Sequence, residues 1–327
     1  MNIPVTVIGG YLGAGKTTLL NRLLAHPQGV RLAVVVNDFG SVNIDAALIA
    51  NRDGETISLT NGCVCCSIGD NLALALYDLA ERPDGPEHIV VEASGVADPA
   101  RIAGYAASHP RLFLDGIVVV ADAETVRARV HDAYVGDLVR RQLETADLIA
   151  LSKTDLVDAK TVQQVQEWIS VEVPDARVVT APRAGQVADL LLSGPGGHAV
   201  LYDALPGGEH ARQFMTWSFV RGGVLDGDAL RTVIAALPAA VVRAKGVVRL
   251  AEAPDRRFVL QLVGRRWSLE PDHVENRDTV VPDRSVIVCI GLADQLEPER
   301  LEALFAPVSV AVVPRAVKAL LQGVERP

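Results

Sequence analysis

The first half of the chain alternates short, wholly apolar runs with amphipathic stretches. Ile3 to Ile8 is the first such run, and its unbroken hydrophobicity predicts a strand buried on both faces. Leu19, Leu20, Leu23 and Leu24 then recur at helical spacing. Arg31–Val36, Ile89–Val91, Ile117–Val120, Leu148–Leu151 and Arg177–Thr180 predict further strands. Helices are predicted from about Gly69, with Leu72, Leu76 and Leu79 on one face, and around Val162, Val165 and Ile169. Strands alternating with helices in this way predict an α/β fold with a mainly parallel sheet, covered on both faces. Ligands of such sheets bind beyond the carboxyl ends of the strands.

The alternation breaks between Ser193 and Glu209, in Ser-Gly-Pro-Gly-Gly-His and later Leu-Pro-Gly-Gly-Glu. Residues 193–212 are therefore expected to link a domain of residues 1–192 to one of 213–327. In the second part, Met215–Val220, Val247–Leu250, Phe258–Val263 and Val286–Ile290 read as strands. Asp228–Leu237 and Glu297–Phe305 read as helices, so a smaller α+β domain is expected.

The chemistry concentrates at predicted strand ends. After the first strand comes Gly9-Gly10-Tyr11-Leu12-Gly13-Ala14-Gly15-Lys16-Thr17-Thr18, which contains G-x-x-x-x-G-K-T. Between a strand and a helix, that pattern makes a P-loop, whose backbone N–H groups point inward at a phosphate chain. Gly10, Gly13, Ala14, Gly15 and Thr18 would line the nucleotide, Lys16 would reach the β- and γ-phosphates, and the Thr17 hydroxyl would ligate Mg²⁺. Strand, loop and helix agree, which a glycine-rich turn without a ligand has no reason to provide.

Glu92-Ala93-Ser94-Gly95 follows another buried run, where P-loop proteins place an acid that supports Mg²⁺ and a glycine that senses the γ-phosphate. The rival reading is a carboxylate that caps the turn. The next residue, Val96, cannot polarise water as a glutamine would there, so slow intrinsic hydrolysis is expected. Ser152-Lys153-Thr154-Asp155 is one substitution from N-K-x-D. Asp155 would accept from guanine N1–H and the exocyclic amine, whereas adenine presents an acceptor at N1. Ser152 in place of asparagine gives up one amide contact. The plainer alternative is a strand-end turn with a helix N-cap at Asp155 or Asp158.

Three cysteines stand within four residues, Cys63-Val64-Cys65-Cys66. Such a cluster suits Zn²⁺ or Co²⁺ better than a disulfide framework. It cannot close a four-ligand site alone, so water or a carboxylate such as Asp38 is the expected fourth ligand. A redox C-x-x-C and inert buried thiols are the alternatives. Cys289, inside an apolar run, reads as a core residue.

Bulk properties narrow the function further. The 327 residues, 49% of them hydrophobic, suffice for two cores. A net charge of −9 argues against nucleic acid as the main partner. No apolar run approaches the roughly eighteen residues of a membrane helix, and the N-terminus enters the first strand at once. A cytoplasmic protein without a membrane partner is expected.

Together these segments resemble the CobW-type family of P-loop GTPases, which are metallochaperones. The resemblance runs from about Ile3 to Ala181 and again from about Phe214 to Phe305. It is most specific in Asn61-Gly62-Cys63-Val64-Cys65-Cys66-Ser67, which looks like the family's C-x-C-C hallmark. Gly9–Thr18, Val91–Pro99, Gln142–Val157 and Arg243–Gly246 with Gln261–Arg265 match other family segments. It implies GTP and Mg²⁺ at the P-loop, Lys16, Thr17 and Glu92 in hydrolysis to GDP, and Zn²⁺ or Co²⁺ at Cys63, Cys65 and Cys66. It also implies a client apo-metalloprotein as partner and allows a homodimer. Two departures stand out: Val36 and Ser41 around Asp38 in a segment where members often carry several acids, and only His198 and His210 where many hold a histidine-rich tract. An ATP-dependent small-molecule kinase and a nucleotide-regulated metal sensor or store are the rival functions.

Overall fold

The structure is a computed structural model, and it describes residues 3–25, 29–37, 55–59, 68–106, 109–174, 176–180, 191, 214–272 and 284–308. The chain divides into two units. The first is Met1–Phe214 with Leu262–Arg266, and the second is Met215–Gln261 with Trp267–Pro327. The expected linker, 193–212, lies outside the described residues.

The first unit is built on a seven-stranded sheet in the order β3-β2-β4-β1-β5-β6-β7. Its strands are β1 (Ile3–Gly9), β2 (Leu32–Asn37), β3 (Glu55–Leu59), β4 (His88–Ala93), β5 (Leu112–Asp122), β6 (Leu148–Ser152) and β7 (Arg177–Thr180). Every neighbouring pair is parallel. Helices α1 (Lys16–Ala25), α2 (Ile68–Glu81), α3 (Pro99–Ala106), α4 (Val126–Val130), α5 (Gly136–Thr145) and α6 (Ala159–Glu172) supply the crossovers. This is the α/β P-loop fold expected from the alternating pattern.

All of β1 and β4 is buried, which explains their near-continuous apolar sequences. α1 buries Leu19, Leu20, Leu23 and Leu24. At about 1.5–3 kcal/mol for each leucine, packing rather than helix propensity fixes where its N-terminus points. β1 lies between β4 and β5, with Ile8 opposite both Glu92 and Val118. Connections leave to opposite sides here, so the crevice beyond the carboxyl end of β1 is the topological switch point. β5 begins five residues earlier than its apolar core suggests, and α3, α4 and α5 are short helices that periodicity did not announce.

The second unit is an α+β arrangement around a five-stranded sheet in the order β11-β10-β9-β12-β8. The strands are β8 (Phe214–Gly222), β9 (Val241–Leu250), β10 (Ala253–Val263), β11 (Arg266–Pro271) and β12 (Arg284–Leu292). Helices α7 (Gly227–Ala235) and α8 (Pro298–Phe305) accompany them. β9 and β12 are antiparallel, with Ala244 facing Cys289. Cys289 is wholly buried, as a core residue should be. Phe305 packs on Trp217 and Phe219 at ring-centroid distances of 5.1 and 4.9 Å, so α8 is pinned to β8 by aromatic contact. Among the described residues no helix is long and apolar enough to cross a membrane.

Candidate functional site

The loop between β1 and α1 curls through three glycines at positive φ, Gly10 (134°), Gly13 (74°) and Gly15 (99°). At Gly10 the reason is also steric, because a Cβ there would collide with the Val120 carbonyl of β5. The Ala14 N–H closes the curl onto the Tyr11 carbonyl at 3.1 Å. Lys16, only 7% exposed, donates from Nζ to the Gly10 carbonyl at 3.0 Å. Its ammonium thus lies back across the loop, over the place that a phosphate chain would fill. Thr17 and Thr18 lie in the first turn of α1, with Thr18 exposed.

Glu92, at the end of β4, is 1% exposed, and its Oε1 accepts from Thr17 Oγ1 at 3.2 Å. The sequence placed both near Mg²⁺, and the fold brings them together. A hydroxyl beside a carboxylate is a hard-oxygen pair that suits Mg²⁺, so the residues fit that ion. Gly95 follows in a turn that the Ala97 N–H closes onto the Ser94 carbonyl at 2.9 Å. A Cβ on Gly95 would lie 2.8 Å from the Leu12 backbone nitrogen. Only glycine lets this turn press against the phosphate loop. Val96 beside it is 42% exposed, and its side chain offers no polar atom to a water molecule.

The turn after β6 meets the same loop from the other side. Ser152 Oγ donates to the Ala14 carbonyl at 2.5 Å and lies 3.3 Å from that of Ala121. Ser152, though shorter than asparagine, therefore ties the turn after β6 to the P-loop. Lys153 takes φ 54°, unusual for a non-glycine residue. Its Nζ reaches Asp122 Oδ2 at 2.7 Å, at the end of the neighbouring β5. Burial works to raise the Asp122 carboxyl. Hydrogen bonds from Lys153, the Glu124 N–H and Thr125, together with the Lys153 charge, outweigh burial and hold it below the usual aspartate range. Asp158, not Asp155, caps α6, accepting from the Thr161 N–H at 2.7 Å. Helix capping therefore makes no demand on Asp155, which is exposed.

Cys63, Cys65, Cys66 and Asp38, the expected metal ligands, lie outside the described residues. The sequence assigns no role to two residues of the site, Asp122 and Gln142, although Gln142 opens the family-like segment Gln142–Val157. Asp122 was visible only as the end of a strand. Gln142, on α5, is 1% exposed, and its Nε2 donates to the carbonyls of Ala97 at 2.8 Å and Gly95 at 3.2 Å. Its Oε1 is buried and accepts no hydrogen bond from the described protein groups. A cavity of about 20 Å³ lies among Tyr11, Leu12, Ala14, Asp122, Arg129 and Gln142. That is room for one water.

With this geometry in hand, comparison with known proteins gives consistent matches. Residues 4–180 match the family described as "CobW/HypB/UreG, nucleotide-binding domain", and residues 214–308 match "Cobalamin synthesis protein cobW C-terminal domain". The chain is 31% identical over 355 aligned positions to the zinc chaperone CobW of Sinorhizobium sp, covering 94% of this chain and 97% of that one. It is 38% identical over 162 positions to the zinc chaperone YjiA of Escherichia coli (strain K12), covering 47% and 50%. It is 34% identical over 177 positions to the zinc-regulated GTPase metalloprotein activator 1 of Schizosaccharomyces pombe (strain 972), covering 51% and 43%. In the last two, the match spans about half of either chain or less.

Proposed function

The chain belongs to the CobW/HypB/UreG nucleotide-binding family and carries the CobW C-terminal domain; from that membership we propose that it is a GTP-hydrolysing metallochaperone. The observation that carries the nucleotide half of this reading is the convergence on one loop. Thr17 bonds to Glu92, Gly95 abuts Leu12, and Ser152 ties the base-reading turn to Ala14. The metal half rests on Cys63, Cys65 and Cys66 and on the names of the relatives, two of which are zinc chaperones.

GTP would lie with its phosphates in the P-loop and its base against Asp155. Lys16 would exchange its Gly10 carbonyl for phosphate oxygens, and the Gly95 turn would meet the γ-phosphate. Thr17, with Glu92 behind it, would hold Mg²⁺, which would supply positive charge against the phosphates. In hydrolysis a water oxygen bonds to the γ-phosphorus while the bond to the β–γ bridging oxygen breaks. GDP and inorganic phosphate leave, and the proton of the water ends on phosphate or solvent. Val96 gives that water no help, so turnover is slow.

The cysteine loop lies in sequence between β3 and α2, before the Glu92–Gly95 turn. Zn²⁺ or Co²⁺ is the cargo, held by the three thiolates with water or Asp38 as fourth ligand. GTP brings the thiolates together, and hydrolysis loosens them and frees the ion to a client apo-metalloprotein. Linkage then requires metal to tighten GTP binding by the factor with which GTP tightens metal. The C-terminal domain would meet the client, in the cytoplasm, with the chain as monomer or homodimer.

Incubating the full chain with GTP and Mg²⁺, with ATP as competitor, tests the enzymatic half. Release of GDP and phosphate that excess ATP does not suppress, and that Lys16→Ala abolishes in a folded protein, is expected. Preferential use of ATP would instead support a kinase.

A further inference from the structure

Gln142 occupies a place that apolar residues fill on either side. On α5, Val139 and Leu143 are buried beside it, and the helix ends at Thr145, after which the buried, extended Ala146 leads into β6. A leucine or methionine there would serve the core without leaving a buried amide oxygen unpartnered. What the glutamine adds is two N–H bonds, one to each of two carbonyls on a single tight turn. Both acceptors are carbonyls, so the amide must present its nitrogen to them.

We propose that Gln142 is the positioning residue of the phosphate-sensing turn: by holding the carbonyls of Gly95 and Ala97, its buried amide sets the backbone that answers the γ-phosphate. The inference rests on the reading of Glu92–Gly95 as that turn. A peptide unit is planar and trans, so anchoring the Gly95 carbonyl toward α5 turns the Val96 N–H to the opposite edge. The second bond, at Ala97, fixes the far side of the same turn. Leu12 of the phosphate loop closes against Gly95 from the other direction. The turn is thus held between the P-loop and α5, set in place before a phosphate arrives, so that a phosphate meets a backbone already ordered. GDP lacks the phosphate that the turn answers, so its binding is expected to be indifferent to Gln142.

The test uses the full reduced chain with Mg²⁺ and compares affinities for GTPγS and GDP in wild type, Gln142→Met and Gln142→Glu. Methionine conserves volume and removes the donors; glutamate conserves shape and faces two carbonyls with acceptors. The expected result is a tenfold or larger fall in the GTPγS-to-GDP affinity ratio in both variants, with GDP affinity within about threefold of wild type and thermal unfolding still cooperative. If the methionine chain does not fold, the ratio is read in Gln142→Asn, whose amide falls one methylene short of both carbonyls. An unchanged ratio in the folded variants overturns the proposal alone. A wild-type chain that binds neither nucleotide overturns the guanine-nucleotide reading beneath it, and the proposal with it.

Discussion

The Ser152 hydroxyl donates to the Ala14 carbonyl at 2.5 Å, joining residues 138 positions apart. The bond ties the end of β6 to the phosphate loop, so on the proposed reading base and phosphates would meet surfaces in fixed relation. The 3.3 Å approach to the Ala121 carbonyl cannot claim the same proton, and the shorter bond takes it.

Ser152→Ala is expected to weaken GTP and GDP alike, because the tether serves the whole nucleotide rather than the γ-phosphate. One hydrogen bond contributes about 0.5–1.5 kcal/mol net, or about three- to tenfold in affinity. Titration with a fluorescent GDP and GTPγS checks this, and a loss confined to one of them would show that the tether does something else.

Asp122→Asn removes the charge partner of Lys153. The Lys153 side chain is 35% exposed, so the pair is discounted for solvent and the loss in GDP affinity should be about two- to fivefold. The pH dependence has a definite sign. The Asp122 carboxyl is held below its ordinary value in the folded chain, so its stabilisation is present above about pH 3.9 and is lost as pH falls through the lower folded value. The difference in Tm between wild type and Asp122→Asn should be present at pH 6 and shrink below about pH 4. A difference that grows toward acid would contradict this assignment.

Much of the site could be read from sequence because it obeys local rules. The P-loop spacing, the buried runs of β1, β4 and β6 and the polar residues at their ends all lie within short windows, where period and turn chemistry are visible. The tether from Ser152 to Ala14, the Lys153–Asp122 pair and the grip of Gln142 on Gly95 are contacts between separate elements, and no periodicity encodes them. Gln142 was moreover disguised by its setting, one polar position in the buried row of a short helix. β11 escaped notice because Arg266–Pro271 is only partly buried and carries no run of apolar residues.

Gly95→Ala places a methyl group 2.6 Å from Leu12 Cδ2 and 2.8 Å from the Leu12 backbone nitrogen. The side-chain contact can yield but the backbone one cannot, so the turn must back away from the phosphate loop. GTPγS affinity should fall at least tenfold while GDP changes little. Equal losses for both nucleotides would place the damage in the P-loop itself.

Asp155→Asn should exchange base specificity. The carboxylate would accept two hydrogen bonds from guanine, while an asparagine amide would present a donor to the guanine amine. Xanthine carries a carbonyl oxygen at that position and would accept the amide N–H. GTP affinity should fall by a factor of ten or more and XTP affinity should rise; competition binding with GTP, XTP and ATP reads both. No change in the ranking would mean that Asp155 does not face the base.

The most direct test of nucleotide-gated metal delivery is a Co²⁺ titration of the reduced full chain with Mg²⁺ and either GTPγS or GDP, read by thiolate charge-transfer and d–d absorption. Gated delivery requires tetrahedral Co²⁺ binding at least tenfold tighter with GTPγS than with GDP, lost in Cys65→Ser and Cys66→Ser. Equal affinity in the two nucleotide states would contradict it.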